Sequence, residues 1–552
     1  MAVLTAISSW TLADVQHFAR RAGFGLTPEA AAGLQTLAPA AAIDAWIDGT
    51  GAAYDATAFT AALATADVVT EPLVTANASD AGSVDVPAVA APHAFLVEGT
   101  DAWRNSLNTA QALCAWRMQH NPYPFQERMA LFWHNLFATG WHKVDNAALM
   151  LKQYQLFRAQ GLARFDDLLA AVSKDPAMCI WLDSVLNNAS GTNIPNENYA
   201  REAMELYSLG ADNGYNQTDI TQLARALSGW SFTFAEADYI ANPASPSQKR
   251  VANAHFKVYD GSSISPDTRL WWGGTGTTSY TMHGTGSIAL FGQTFDITST
   301  ANGWAKGENA LRAIVSVRGA QCAQFLAKRL LTHFVTTGYS TQDLSDVAAM
   351  IQASAFDLRA VMKTLLKSQY FFDVANHFAL AEGPVSWLVR AARMLCPALT
   401  AGAAQTPKGY PAWRLVTSNA TTFDQMGMSL LDPSGPNGWK EHAAWLNSNT
   451  MRYRTKVAAA LAMNETRGYN GTTYPLFPTF VTTDWFPAAP ATAQAVYDRL
   501  AALLQPGPMP AGVPAGWLAA LWPATFTWDA ASQAKARELA FLILCSPAGQ
   551  LY

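Results

Sequence analysis

Residues 126–140, QERMALFWHNLFATG, limit the folds open to this chain more than any other stretch. Beyond its first turn, Met129, Leu131, Phe132, Trp133, Leu136 and Phe137 leave the helix apolar on nearly every side, and such a helix is buried. Burying it takes a shell of further elements, which a chain of 552 residues is long enough to supply. His134 and Asn135 sit in the middle of this helix, so both need hydrogen-bond partners inside the protein. Leaving either unmet would cost ~1–3 kcal/mol.

The richest polar supply lies in IPNENYAREAMELYSLG, residues 194–210. At about 100° per residue, Glu197, Asn198, Arg201, Glu202 and Glu205 share one side of a helix, and apolar residues fill the other. Read alone, this is a solvated face laced by i,i+4 ion pairs. If it meets the buried helix, it lines a site instead, and that is the reading taken. His134 is then the base or a ligand, Glu202 and Glu205 ligands or the acid, and Arg201 the partner of an anion. One imidazole and two carboxylates suit a divalent metal with an open position, and equally a metal-free acid–base pair. A closed polar network that only fixes helix packing is the structural alternative. Glu127 falls about 20° from His134 on the wheel, so a carboxylate–imidazole alignment along one side is also open.

Helical periodicity dominates elsewhere. Thr11 and Asp14 form a capping-box pattern before VQHFARRAG, and Pro28 begins a helix read through to IDAWIDG. Residues 50–100 read as an irregular connection. Helices are expected near 102–120, 124–138, 146–159, 163–173, 196–209 and 217–228. They return from 306 to 333 and at 341–353, 356–368, 380–396, 447–462, 491–504 and 531–546. Between 232 and 300 short β-prone runs alternate with Gly, Ser and Pro. The fold class is therefore mainly α: a large multi-helix body in two parts, 1–231 and 301–400, a β-hairpin-rich insertion at 232–300, and a loop-rich helical region at 401–552.

Only 14% of residues are charged, the net charge is −5, and no basic run is present, which excludes a nucleic-acid-binding surface. No apolar stretch nears the ~20 residues of a membrane span. The five cysteines show no ligand spacing and read as free, buried thiols. A composition poor in Lys and rich in Thr, Asn and Trp favours a periplasmic or extracellular protein over a cytoplasmic one. His142 reads as a surface loop residue within reach of the site, Asp183 as a helix-end cap, and Arg20 and Arg21 as partners of inward carboxylates or of a helix terminus. Trp439, His442, Trp445 and Asn447 surround a Pro/Gly loop. They fit glycan stacking, or simple anchoring of that loop.

RRAGFGLTP, ALFWHNLFATG with Lys143 following, KDPAMCIWLD, PNENYAREAMELYSLG, TDITQLARALSGW, HGTGSIALFGQTF and MGMSLLDPSGPNGWKEHAAWLN occur in this order. Together they resemble the bacterial family known as domain of unknown function 1800, over nearly the whole chain. The resemblance implies a predominantly helical, often exported protein encoded near a sulfatase/phosphatase-like protein, a candidate partner for a non-catalytic secretion or assembly role. It imports no reaction. Three positions depart from the family pattern: Leu136 replaces a second histidine, Gly284 follows His283 where an acid is usual, and Ile288 stands for a lysine.

Overall fold

The computed structural model describes residues 4–49, 107–235, 239–242, 245–251, 254–259, 268–270, 281–298, 303–396, 422–469, 472–475, 481, 485–523 and 525–552. The expected irregular connection at 50–100 lies outside them.

The apolar helix forms as Pro124–Leu136 and is buried along almost its whole length. Pro124 at its first turn has no N–H to leave unsatisfied, which favours a start there. Ala147–Gln160 packs along it, and the Trp133 indole donates to the Gly161 carbonyl at 2.8 Å. Phe137 joins Phe157, Phe165 and Tyr207 in one aromatic cluster around it. Full burial of a ring such as Trp133 makes truncation to Ala cost ~3–5 kcal/mol. Glu127 shares a side of this helix with His134 but pairs elsewhere. Its Oε1 accepts from Arg158 Nε at 2.8 Å and from Asn121 Nδ2 at 2.7 Å, an ion pair closed off from solvent.

One hydrophobic cluster runs through the chain from Trp10 to Leu544. The Thr11–Asp14 capping box starts Leu12–Arg21 as expected. The single helix read after Pro28 is instead two, Pro28–Gln35 and Pro39–Asp48. Pro39 lacks an N–H and pushes the residue before it out of helical geometry, so the chain restarts there. Past Gly319–Leu330 the helix does not stop but widens into a π-turn, Leu331–Val335.

Arg20 and Arg21 are fully enclosed with Arg128, Arg390 and Arg454. One carboxylate answers them directly, Glu382 accepting from Arg390 Nε at 2.8 Å. Carbonyl oxygens, the Ser386 hydroxyl and rings meet the others. Arg21 donates to Asn376 O at 2.9 Å and lies over the Tyr552 ring, and Arg20 lies over Phe378.

The β-rich insertion is present. β1 (Trp230–Ala235) pairs antiparallel with β4 (His255–Val258) and β5 (Thr268–Leu270), while β2 (Tyr239–Asn242) pairs with β3 (Ser245–Val251). β6 (Ser287–Leu290) and β7 (Gln293–Asp296) form a hairpin whose two turn residues, Phe291 and Gly292, both have positive φ, as a tight two-residue hairpin turn requires. Asp219 accepts from the Phe291 N–H at 2.8 Å and ties this hairpin to the Gln217–Ala226 helix. A further hairpin, β8 (Thr466–Tyr469) with β9 (Thr472–Pro475), lies in the C-terminal third, where only helices and loops were expected. Among the described residues no helix is long and apolar enough to cross a membrane.

Candidate functional site

His134 and Asn135 do find partners, but these belong to a loop. The Leu431 N–H donates to His134 Nε2 at 3.0 Å, and the Trp439 N–H donates to Asn135 Oδ1 at 2.7 Å. The Trp141 N–H in turn donates to the Leu431 carbonyl at 3.0 Å. The loop is therefore clamped to the C-terminal half of the buried helix. Gly438 has φ +73°, and a Cβ there would lie 2.2 Å from the Asn135 carbonyl oxygen, so only glycine fits. Because Nε2 accepts, the His134 proton sits on Nδ1. Burial among Tyr154, Phe157 and Trp439 pushes its pKa down to about 3.

The acid-rich helix spans Asn198–Glu205, and its polar side turns elsewhere. Arg201 Nη2 pairs with Glu197 Oε2 at 3.0 Å. Glu197 also accepts from Gln217 and Thr221, which fastens this side to the next helix and holds the Glu197 carboxyl below its usual range, the Thr221 hydroxyl first among the causes. Glu202 is half-buried, and burial, then the charge of Glu205, raises its pKa. Glu205 lines a cleft that Leu136 also borders. The structure thus does not bring His134, Glu202 and Glu205 together. The imidazole has its acceptor nitrogen committed to a backbone amide, and burial alone accounts for its shift. Among the described residues no group of three or more His, Cys, Asp or Glu could hold a metal ion.

Chemistry gathers instead a few residues further on, at an exposed seam. Trp141–Val144 is a single helical turn. His142 on it places Nδ1 2.6 Å from Asp432 Oδ1, and the same oxygen accepts the His142 backbone N–H at 2.9 Å. The His142 side chain is 49% exposed. Lys143 Nζ lies 2.9 Å from Asp183 Oδ1 and donates to the Trp181 carbonyl at 2.7 Å. Asn198 Nδ2 reaches Asp183 Oδ2 at 3.3 Å, joining the seam to the acid-rich helix. The Trp181 ring stands edge-on to His142, with centroids 5.1 Å apart. Three non-glycine residues with positive φ bracket this patch: Asp145, Asp183 and Leu431. Strained backbone of this kind persists where surrounding contacts over-determine it, and it concentrates at functional sites.

An Asp432 carboxylate accepting from Nδ1–H fixes one imidazole tautomer and leaves the Nε2 lone pair outward, the arrangement of a general base. Asp432 and Trp181 carried no functional reading in the sequence, since 290 residues separate His142 from Asp432 and no spacing rule spans that. Trp439 and Trp445 are buried, so they anchor the loop and offer no face for sugar stacking. His283 sits between two carbonyls, 2.7 Å from Ser228 O and 2.9 Å from Ile297 O. Gly284 donates to Ser228 Oγ, and Ile288 is a core residue of the β6–β7 hairpin. That group is structural.

Fold and seam together define a large, mainly helical protein carrying an exposed His–Asp pair on a clamped loop. The chain belongs to the DUF1800 family of proteins of unknown function, whose sequence profile matches residues 17–551. No curated protein and no solved structure matches it.

Proposed function

We propose that the seam is the acid–base centre of an enzyme, with His142 as base, Asp432 as the group that orients it, and Lys143 as the cation facing developing negative charge. This keeps a polar, enzyme-like site between the end of the Pro124–Leu136 helix and the Asn198–Glu205 helix, and moves its base from His134 to His142. What supports the reading is the 2.6 Å contact between His142 Nδ1 and Asp432 Oδ1 on a half-exposed ring. His134 is enclosed and its acceptor nitrogen is committed to the Leu431 N–H, so it serves as the peg that holds the Asp432 loop in place. Asp432 occupies Nδ1, and the proton that the outward Nε2 takes is that of the attacking water. The reaction class is hydrolysis by an activated water. The test is turnover of 4-nitrophenyl acetate, phosphate and sulfate by the wild type, His142→Gln and Asp432→Asn. Loss of a general base lowers the rate roughly 10²- to 10⁴-fold. No turnover by the wild type, or equal turnover in His142→Gln, rejects the assignment.

A further inference from the structure

The cleft that Glu205 lines is separate from the seam and has its own chemistry. It is an open cleft of about 530 Å³, within the range of small-molecule sites. Leu136, Leu209, Phe325 and Leu344 give it apolar walls, and Pro436 and Asn437 of the clamped loop also line it. Lys328 and Arg329, from the last turn of Gly319–Leu330, line it together with Glu205. None of these three charged side chains makes a hydrogen bond or ion pair with another described residue. By contrast, Arg312 meets Asp166, Asp167 and Glu308, and Lys363 meets Asp44 and Asp48. Arg329 is close enough to Glu441 to help lower its carboxyl, behind the larger contribution of His333, which together overcome the effect of burial.

We propose that this cleft binds an amphipathic organic acid, its anionic head on Lys328 and Arg329 and its apolar body along Leu136, Phe325 and Leu344. Two cations against one carboxylate set the sign. Apolar walls beside unpaired charges set the class, because a fully hydrated inorganic anion gains nothing from leucine and phenylalanine. Glu205 lies in the same cleft and opposes the head group, so it tunes affinity downward for a simple acid. The assignment is independent of whether His142 is catalytic.

The probes are 4-phenylbutyrate, 4-phenylbutanol and 4-phenylbutylamine, one body with three head groups, titrated calorimetrically into the full chain. The acid should bind most tightly and the amine least. Lys328→Ala with Arg329→Ala should cost the acid about tenfold while leaving the alcohol unchanged, the sum of two partly exposed ion pairs. Glu205→Gln should strengthen the acid and weaken the amine. Ala211→Trp, which fills the cleft, should abolish binding of all three with an unchanged unfolding midpoint. Equal affinity for the three heads, insensitivity to the charge variants, or no binding at millimolar concentration overturns the proposal.

Discussion

Replacing His134 with Gln tests whether the buried imidazole is a neutral peg for the loop, and the magnitude follows from its pKa. Burial holds the folded-state value at about 3, against an ordinary value of 6.5. In the folded protein the ring stays neutral down to about pH 3, whereas in the unfolded chain it takes up a proton below 6.5. The unfolded state therefore binds more protons throughout that window, and stability falls as pH drops through it. Above 6.5 the effect is absent. At about pH 4.5 the ring has cost the wild type two pH units of unfolded-state protonation, or ~3 kcal/mol. Glutamine removes that dependence. At neutral pH the variant should be less stable by ~1–3 kcal/mol, because the glutamine oxygen takes over the Leu431 N–H while its NH2 is buried without a partner among Tyr154, Phe157 and Trp439. The gap should shrink or reverse by about pH 4.5. Urea unfolding of both proteins at the two pH values measures this. His17 and His120, also held low by burial, contribute equally to both and cancel. Parallel stability–pH curves would refute the assignment of His134 as a buried neutral acceptor.

Gly438→Ala should destabilise the loop by ~2 kcal/mol or more, since the new Cβ collides with the Asn135 carbonyl in a left-handed backbone. Hydrogen exchange at Leu431 and Trp439 should accelerate, and unchanged protection would count against the clamp. Glu382→Gln should cost ~3–5 kcal/mol in urea unfolding by leaving the Arg390 guanidinium uncompensated in the core. A loss below ~1 kcal/mol would mean that carbonyls, the Ser386 hydroxyl and rings alone satisfy the arginines.

The helices were readable because their signals are local. Thr11–Asp14, the apolar stripe of Pro124–Leu136 and the i,i+4 pair Glu197–Arg201 each declare themselves within a few residues. The burial of His134 was legible for the same reason. Its partner was not, because periodicity says that a polar group needs an acceptor or donor without saying from where, and the answer was a backbone amide 297 residues away. The acid-rich face offered the strongest side-chain supply in the sequence, and its residues met Gln217, Thr221 and a cleft instead. His142 looked like a surface histidine and is exposed. What gives it chemistry is Asp432, delivered by a loop whose path is set by Gly438 and by the two polar residues of the buried helix. The β8–β9 hairpin was missed although Asn-Gly in GYNGTTY is a hairpin signal, because the flanking runs are too short to show alternation.

The most direct test of the account is the tautomer of His142, read from the ¹⁵N chemical shifts of its ring in the neutral form. The account predicts the proton on Nδ1, held by Asp432, with Nε2 bare, and a shift of that population toward Nε2–H in Asp432→Asn. A ring carrying its proton on Nε2 in the wild type, unmoved by Asp432→Asn, would contradict it.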